Sequence, residues 1–318
     1  MIDKLIRNVF PEVEKKVSLA AFTTFGIGGV APWFILVEDA EQLVQVVQKA
    51  RTQKIPYYIF AGGSNVVFPD KIPKKLIICL RASRLNKINH EVKANRIEIE
   101  AGVPLSLLIS LSIRNSLQGL ESLSGIPGTV GGAIYGNAGA YGQSISDKLE
   151  AVLIWDGKNT RWVTKEECQF TYRSSIFKKK DWLILSARFI LFAGDKKELQ
   201  QKSRQIIAIR NKKYVPGIKC PGSFFKNVLV KNVSKVVLKN IPPEKIIEGK
   251  IPAGFLLESI GAKNSRQGQI FIPDFHGNLL INEGGGRASD VVKLASRLQK
   301  KVKDKFGINL EAEVQIVN

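Results

Sequence analysis

Glycines crowd one stretch of this chain. Residues 119–142 read GLESLSGIPGTVGGAIYGNAGAYG, with glycine at 119, 125, 128, 131, 132, 136, 139 and 142. Such a segment has little side-chain volume with which to fill space. It must therefore take positive φ angles or lie with its backbone against something else. Ile126, Pro127, Val130, Ile134 and Tyr135 are apolar anchors that a mere linker would not carry. With charge almost absent, the segment suits a loop whose N–H groups face a buried anion. Its spacing is not the G-x-G-x-x-G of a dinucleotide fold, and no lysine follows as in a P-loop.

A second candidate cradle lies upstream. A short strand at 33–37 leads to Asp39, which caps a helix carrying Leu43, Val44, Val47 and Ala50 at helical spacing. A second strand then ends at Ala61 and breaks into Gly62-Gly63-Ser64-Asn65. Backbone N–H groups and the Ser64 hydroxyl could donate to phosphate there, although many strands end in such turns for conformational reasons alone.

Further along, 74–80 and 96–102 alternate as strands. Pro104 opens a helix through Leu107, Leu108, Leu111 and Ile113, with Gly119 as its C′ residue. AVLIW and RWVT flank Asp156-Gly157 as a hairpin, and WLILSARFIL is another strand. A basic amphipathic helix follows from about 195 to 213. Residues 214–227, YVPGIKCPGSFFKN, read as a domain boundary or an active-site loop. Then come a short helix at 252–262, a strand–turn–strand in QIFIPDFHGNLLIN, and a helix N-capped by Ser289 and ended by Gly307. In the last strand, Leu310, Ala312, Val314 and Ile316 share one face, and Glu311, Glu313 and Gln315 the other.

Composition narrows the function. A length of 318 residues suits two domains or three small ones, and a 44% hydrophobic content supports a sizeable core. No apolar run approaches the roughly 18–20 residues of a membrane span. The first residues, MIDKLIRNVFPEVEKK, lack an apolar signal core. Cys79, Cys168 and Cys220 form neither a disulfide framework nor a zinc pattern, and two histidines make no multi-histidine metal site. No metal is expected, and a reducing cytoplasm fits best. The formal charge of +20 admits nucleic acid, a membrane surface or anionic small molecules. The lysines lie singly or in short groups without a nucleic-acid motif. They read as solvated faces whose field attracts nucleotides.

Taken in order, TTFGIGG, AGGSN, GIPGTVGG with GNAGAYG, YRSSIFK, GSFFKN, AGFLLESIGAKNSRQGQ, HGNLLIN and LEAEV resemble the bacterial UDP-N-acetylenolpyruvoylglucosamine reductases over nearly the whole chain. No insertion corresponds to the tyrosine-bearing loop of one subclass, so the chain resembles the shorter one. It departs from the family at Val228, where proline is usual after GSFFKN, and in the run Gly284–Gly286.

The resemblance implies an α+β fold of the FAD-binding, vanillyl-alcohol-oxidase (PCMH) type. It would have an FAD-binding domain over 1–213 in two subdomains, about 1–70 and 71–213. A smaller α+β substrate-binding domain would span 214–306, and a strand, 307–318, would return to the active site. It also implies non-covalent FAD, NADPH as hydride donor, and reduction of UDP-N-acetylglucosamine enolpyruvate to UDP-N-acetylmuramate for peptidoglycan. Gly62, Gly63, Ser64, Asn65, Gly125, Ile126, Gly128, Thr129, Gly132, Asn137 and Ala138 are the expected cofactor contacts.

By the same resemblance, Ser223 is the proton donor, and Arg173 and Glu313 stabilise the enolate-like intermediate. Tyr172, Lys226, Asn227 and His276 are expected on the substrate. A serine hydroxyl is a poor acid alone and needs a polarising neighbour such as Lys226 or a water. By periodicity alone Glu311 is as good a candidate as Glu313; the resemblance selects Glu313. Two alternatives remain: an oxygen-using flavin oxidase of the same fold, which the lack of a histidine in the glycine-rich centre disfavours, and a basic nucleic-acid-binding protein on a flavoprotein scaffold.

Overall fold

In a computed structural model, residues 2–81, 90–93 and 95–317 are described. The chain forms two compact units. The first comprises residues 1–17, 31–62 and 73–212; the second comprises 18–30, 63–72 and 213–318.

Among its described residues the first unit holds a four-stranded and a five-stranded sheet, beside two short two-stranded pairings. Strands Val30–Val37, Leu76–Leu80 and Tyr57–Phe60 pair in parallel, with Glu14–Ser18 at the far edge. The helix Ala40–Thr52 provides the crossover that parallel pairing requires. Asp39 caps it, its carboxylate accepting the Gln42 N–H at 2.8 Å. The buried stripe is Leu43, Val46, Val47 and Ala50, so Val46 takes the place expected for Val44.

The second sheet is antiparallel, in the order 160–164, 149–155, 183–190, 96–100, 90–93. Its Leu149–Trp155 and Thr160–Thr164 strands are the expected hairpin. The helix Leu105–Arg114 adds Leu105, Leu108 and Ile109 to the core formed with Ile97 and Ile99. It closes at Asn115, and Ser116, not Gly119, takes the positive φ beyond it, 55°. Gly119 lies past that turn, where its N–H donates to Glu121 at 2.7 Å.

The second unit gathers its core around the helices Ala253–Ser259 and Ala288–Phe306, with Phe224 and Phe225 buried among them. Segment 18–30 belongs to it because Asn282 donates its amide to the carbonyls of Phe25 and Gly26 at 3.0 and 3.1 Å. The long helix ends at Gly307, φ 69°, as expected, but Ser289 is not its N-cap. Arg287 holds that position without a side-chain bond, and Asp70 caps from outside. Its carboxylate accepts the N–H groups of Ala288 and Ser289 at 2.7 and 3.2 Å.

The terminal segment also differs from the expected alternation. Only Gln315–Ile316 forms a strand, parallel to Val66–Val67, and the chain bends at Glu313 and Val314. Ile316 is therefore exposed and Val317 buried. Among the described residues, no helix is long and apolar enough to cross a membrane.

Replacing Asp70 with alanine removes the only side-chain acceptor described for the first turn of the long helix. A loss of about 1 kcal/mol is expected, measurable as a lowered denaturant midpoint with an unchanged slope. An unaltered midpoint would mean that water caps the helix equally well.

Candidate functional site

In the first unit, the glycine-rich stretch is not a continuous loop. Val130–Gly136 is a short helix, opened by Thr129, whose hydroxyl accepts the Gly132 N–H at 3.2 Å. The sequence forms it because small residues let its backbone reach neighbouring chain. Gly131 N–H donates to Ala101 O at 2.8 Å, and a Cβ on Gly131 would stand 2.8 Å from the Ala101 Cβ. Gly62 approaches in the same way: its Cβ would stand 2.7 Å from Gly128 Cα and 3.3 Å from Thr129 N. The two glycine-bearing turns singled out in the sequence thus meet, backbone to backbone, at Gly62 and Gly128. Ile126 and Ala138 pack on the adjoining core, whereas Gly125 is exposed at φ 76°.

The helix ends at Asn137 in the left-handed region, φ 45°. The Asn137 Nδ2 donates to Thr171 O at 2.9 Å, while its buried Oδ1 has no hydrogen-bond partner among the described residues. Around it folds the YRSSIFK segment. Ser175 Oγ donates to Tyr135 O at 2.7 Å, and Thr171 and Ser174 exchange backbone bonds at 3.0 and 3.1 Å.

That tight turn holds Arg173 at φ 55°, a strained conformation for a long side chain and one that clusters at functional sites. Its guanidinium donates to Gly139 O at 2.9 Å and lies 5.5 Å from the Tyr172 ring centre. Lys178 clamps the Arg173 carbonyl at 2.8 Å and stands 5.8 Å from the Tyr135 ring centre. Burial pushes the Tyr58 phenol up to about 12, with Tyr135 adding to the shift, and burial also raises Tyr135 itself. Both phenols are neutral hydrogen-bonding groups at neutral pH.

The turn Gly62–Asn65 is divided by the boundary between the units after Gly62. In the second unit, Gly63 O accepts the Thr24 N–H at 3.1 Å, and Asn65 Nδ2 donates to Glu313 O at 3.2 Å. Ser64 is half-buried.

The second unit brings three motifs of its own together. The segment Ser223-Phe224-Phe225 runs between the HGN turn and the terminal segment. On one side, Phe224 N–H donates to Asn278 O at 3.0 Å, and Asn278 exchanges two side-chain bonds, both 2.9 Å, with Phe225. On the other, Glu313 N–H donates to Phe224 O at 2.8 Å and Lys226 N–H to Glu311 O at 2.9 Å. Burial of two phenylalanine rings fixes the register, so the backbone of Glu313 pairs with Phe224, the residue after Ser223, and Ser223 bridges to Leu279. Asn278, inside a quoted motif but given no role there, makes this junction.

The neighbour of Ser223 is not the expected lysine. Its hydroxyl is 2.9 Å from the Tyr214 hydroxyl, whereas Lys226 forms an ion pair with the exposed Glu311. Tyr214 carried no signal of its own beyond its place in a Pro- and Gly-rich loop. Asn227 Oδ1 accepts the Ala253 N–H at 3.1 Å and so starts the next helix.

His276 Nδ1 accepts the Asn278 N–H at 3.0 Å, which leaves the proton on Nε2. Burial and then Lys213 push its pKa down to about 4. The ring lies 6.3 Å, centre to centre, from Tyr214.

Comparison with known proteins bears on both halves. Residues 31–164 match the family of FAD binding domains, and residues 215–317 match the C-terminal domain of UDP-N-acetylenolpyruvoylglucosamine reductase. The UDP-N-acetylenolpyruvoylglucosamine reductase of Solibacter usitatus is 39% identical over 96% of either chain. That of Syntrophus aciditrophicus is 32% identical over 94% of this chain and 90% of its own. The crystal structure of the Thermus caldophilus reductase superposes with a TM-score of 0.75 at 31% identity, covering 96% of this chain and 99% of that one. The fold is therefore an α+β FAD-binding fold.

The depressed pKa of His276 sets a pH dependence. Between about 6.5 and 4 the unfolded histidine is protonated and the folded one is not, so stability falls as pH drops through that window and is flat above it. Between pH 7 and 5 the loss is about 2 kcal/mol. Urea unfolding of the protein and of His276→Asn should differ in pH dependence by that amount; parallel profiles would place His276 in contact with solvent.

Proposed function

The chain belongs to the UDP-N-acetylenolpyruvoylglucosamine reductase family, and from that premise we propose that it reduces UDP-N-acetylglucosamine enolpyruvate to UDP-N-acetylmuramate in peptidoglycan precursor synthesis. The observation that carries the reading is 39% identity to a reductase across nearly the full length of both chains. Family membership also decides among the readings that charge and glycine content left open. The same proposal places the enzyme in the cytoplasm, where its nucleotide substrates are found.

The residues of the first unit fit FAD. Gly62 and Gly128 lie backbone to backbone, too close for a Cβ on Gly62, which leaves main chain to face a ligand, and Asn137 Oδ1 is a buried acceptor with no partner among the described residues. A flavin ring needs close backbone approach and an acceptor of this kind for its N–H, and a diphosphate needs exposed backbone N–H groups. Gly62, Gly128, Thr129, Gly132 and Asn137 would hold it. With FAD held there, the chemistry supplied would be hydride transfer, drawn from NADPH and delivered to the outer carbon of the enolpyruvyl double bond.

The rest of the chemistry falls to side chains. Once that carbon is reduced, the electron pair lies on the carbon bearing the carboxylate and delocalises into it. Arg173 has a planar cationic fork suited to that carboxylate, and the strained turn beneath it holds the fork in place. Glu313, held through its backbone by Phe224 and Asn65, steadies the carboxylate end together with Arg173. Ser223 gives its hydroxyl proton to the carbon that carries the electron pair. Tyr172, Lys226, Asn227 and His276 complete the proposed binding of the nucleotide sugar.

Three measurements test this. Purified protein should be yellow, bleach with NADPH under anaerobic conditions, and recolour on adding the enolpyruvyl sugar; failure to recolour removes the substrate. Ser223→Ala should bleach normally and recolour about 10²–10⁴-fold more slowly. Wild-type recolouring by that variant would remove Ser223 as donor. Gly62→Val, whose side chain would strike Gly128, should purify with markedly less flavin. A full complement of flavin would mean that the cradle is elsewhere.

A further inference from the structure

A serine that protonates carbon faces two problems: its hydroxyl hydrogen must point at the substrate, and the oxygen must not be left as a free alkoxide. Alcohols are acids about as weak as water, whereas a tyrosine phenol ionises much more readily, at about 10. The second unit sets such a phenol against the serine. Tyr214 Oη and Ser223 Oγ are 2.9 Å apart, and either can donate. When Tyr214 donates, it occupies a lone pair of Ser223 and leaves the serine proton free to turn outward.

The phenol is itself held. Its ring packs on His276, tilted by 37°, and His276 is fixed by the Asn278 N–H. The Lys213 ammonium lies 5.3 Å from the Tyr214 ring centre, over the same ring. None of these groups depends on Lys226, whose ammonium is paired with Glu311.

We propose that Tyr214 is a positioning residue for the reduction, orienting the Ser223 hydroxyl and replacing its proton as that proton leaves. The inference rests on the reading of Ser223 as proton donor. The Ser223 O–H bond breaks as a C–H bond forms at the carbon bearing the carboxylate. The Tyr214 O–H bond breaks as a new Ser223 O–H bond forms, and the phenolate then takes a proton from water. Hydroxide passes to the buffer, and no electrons change hands in the relay.

The test compares FAD-loaded wild type, Tyr214→Phe and Ser223→Ala by anaerobic stopped flow. Flavin reduction by NADPH should match wild type in Tyr214→Phe. Reoxidation by the enolpyruvyl sugar should slow at least ~10-fold, toward the range typical of lost acid catalysis, with the sugar concentration for half-maximal rate little changed. In mixtures of H2O and D2O the wild-type reoxidation rate should bow, since two protons move together. That of Tyr214→Phe should be linear.

A wild-type rate in Tyr214→Phe, a defect confined to sugar affinity, or a linear wild-type plot would overturn the inference. If Ser223→Ala also reoxidises normally, the underlying reading of Ser223 is what fails. If Ser223→Ala is slow and Tyr214→Phe is not, only the role of Tyr214 fails. Should Tyr214→Phe lose flavin or fold, difluorotyrosine at position 214 keeps the hydroxyl and makes it more acidic. The alkaline limb of the reoxidation pH profile should then move to lower pH, and an unmoved limb would also overturn the inference.

Discussion

Backbone-to-backbone contact at Gly62, Gly128 and Gly131 is the constraint from which the first unit is built. At such distances no side chain fits, because a Cβ would overlap main-chain or Cβ atoms at under 3 Å. The helix Val130–Gly136 can therefore hydrogen-bond directly to the chain that enters Leu105–Arg114, through Gly131 to Ala101 and Val130 to Val103. The same closeness leaves a surface of amides and carbonyls, which suits a large planar, anionic cofactor better than a wall of side chains would.

Around that centre the polar groups are assigned mostly to one another. Tyr135, Asn137 and Gly139 each lend a group to the 171–175 turn. The turn in return fixes the arginine that faces the reaction in the proposed mechanism. Strain at Arg173 and a buried acceptor at Asn137 are costs that a purely structural loop has no reason to carry. The second unit follows a different logic. Apolar burial of Phe224 and Phe225 sets the register of a short segment, and the register sets which backbone groups of Asn278 and Glu313 bond to Phe224, next to Ser223.

Much of this was legible in residue order. Alternation and capping located the principal strands and helices, because periodicity reports which face is buried. The glycine-rich centre was visible as a place of close approach, though not as a helix, since Thr129 capping and contact with Ala101 outweigh glycine's poor helix propensity. Helix ends were read less well. Asp70 caps a helix more than two hundred residues away, a role no local pattern can reveal. The terminal alternation failed at Ile316 because the chain bends at Glu313, where it pairs with Phe224 and Asn65 in place of a continuous strand.

By itself the sequence determined the chemistry available: a neutral glycine-rich backbone surface, one arginine, serine and glutamate in specific motifs, and no cluster of metal-ligating histidines or cysteines. These are matters of residue type and short-range spacing. Only the tertiary structure decided that Gly62 meets Gly128, that segments 18–30 and 63–72 fold with the C-terminal residues, and that the serine's partner is Tyr214, with Lys226 turned to Glu311. Those pairings join residues whose separation along the chain carries no periodic signal, and they form because burying the apolar residues around them leaves the backbone no other register.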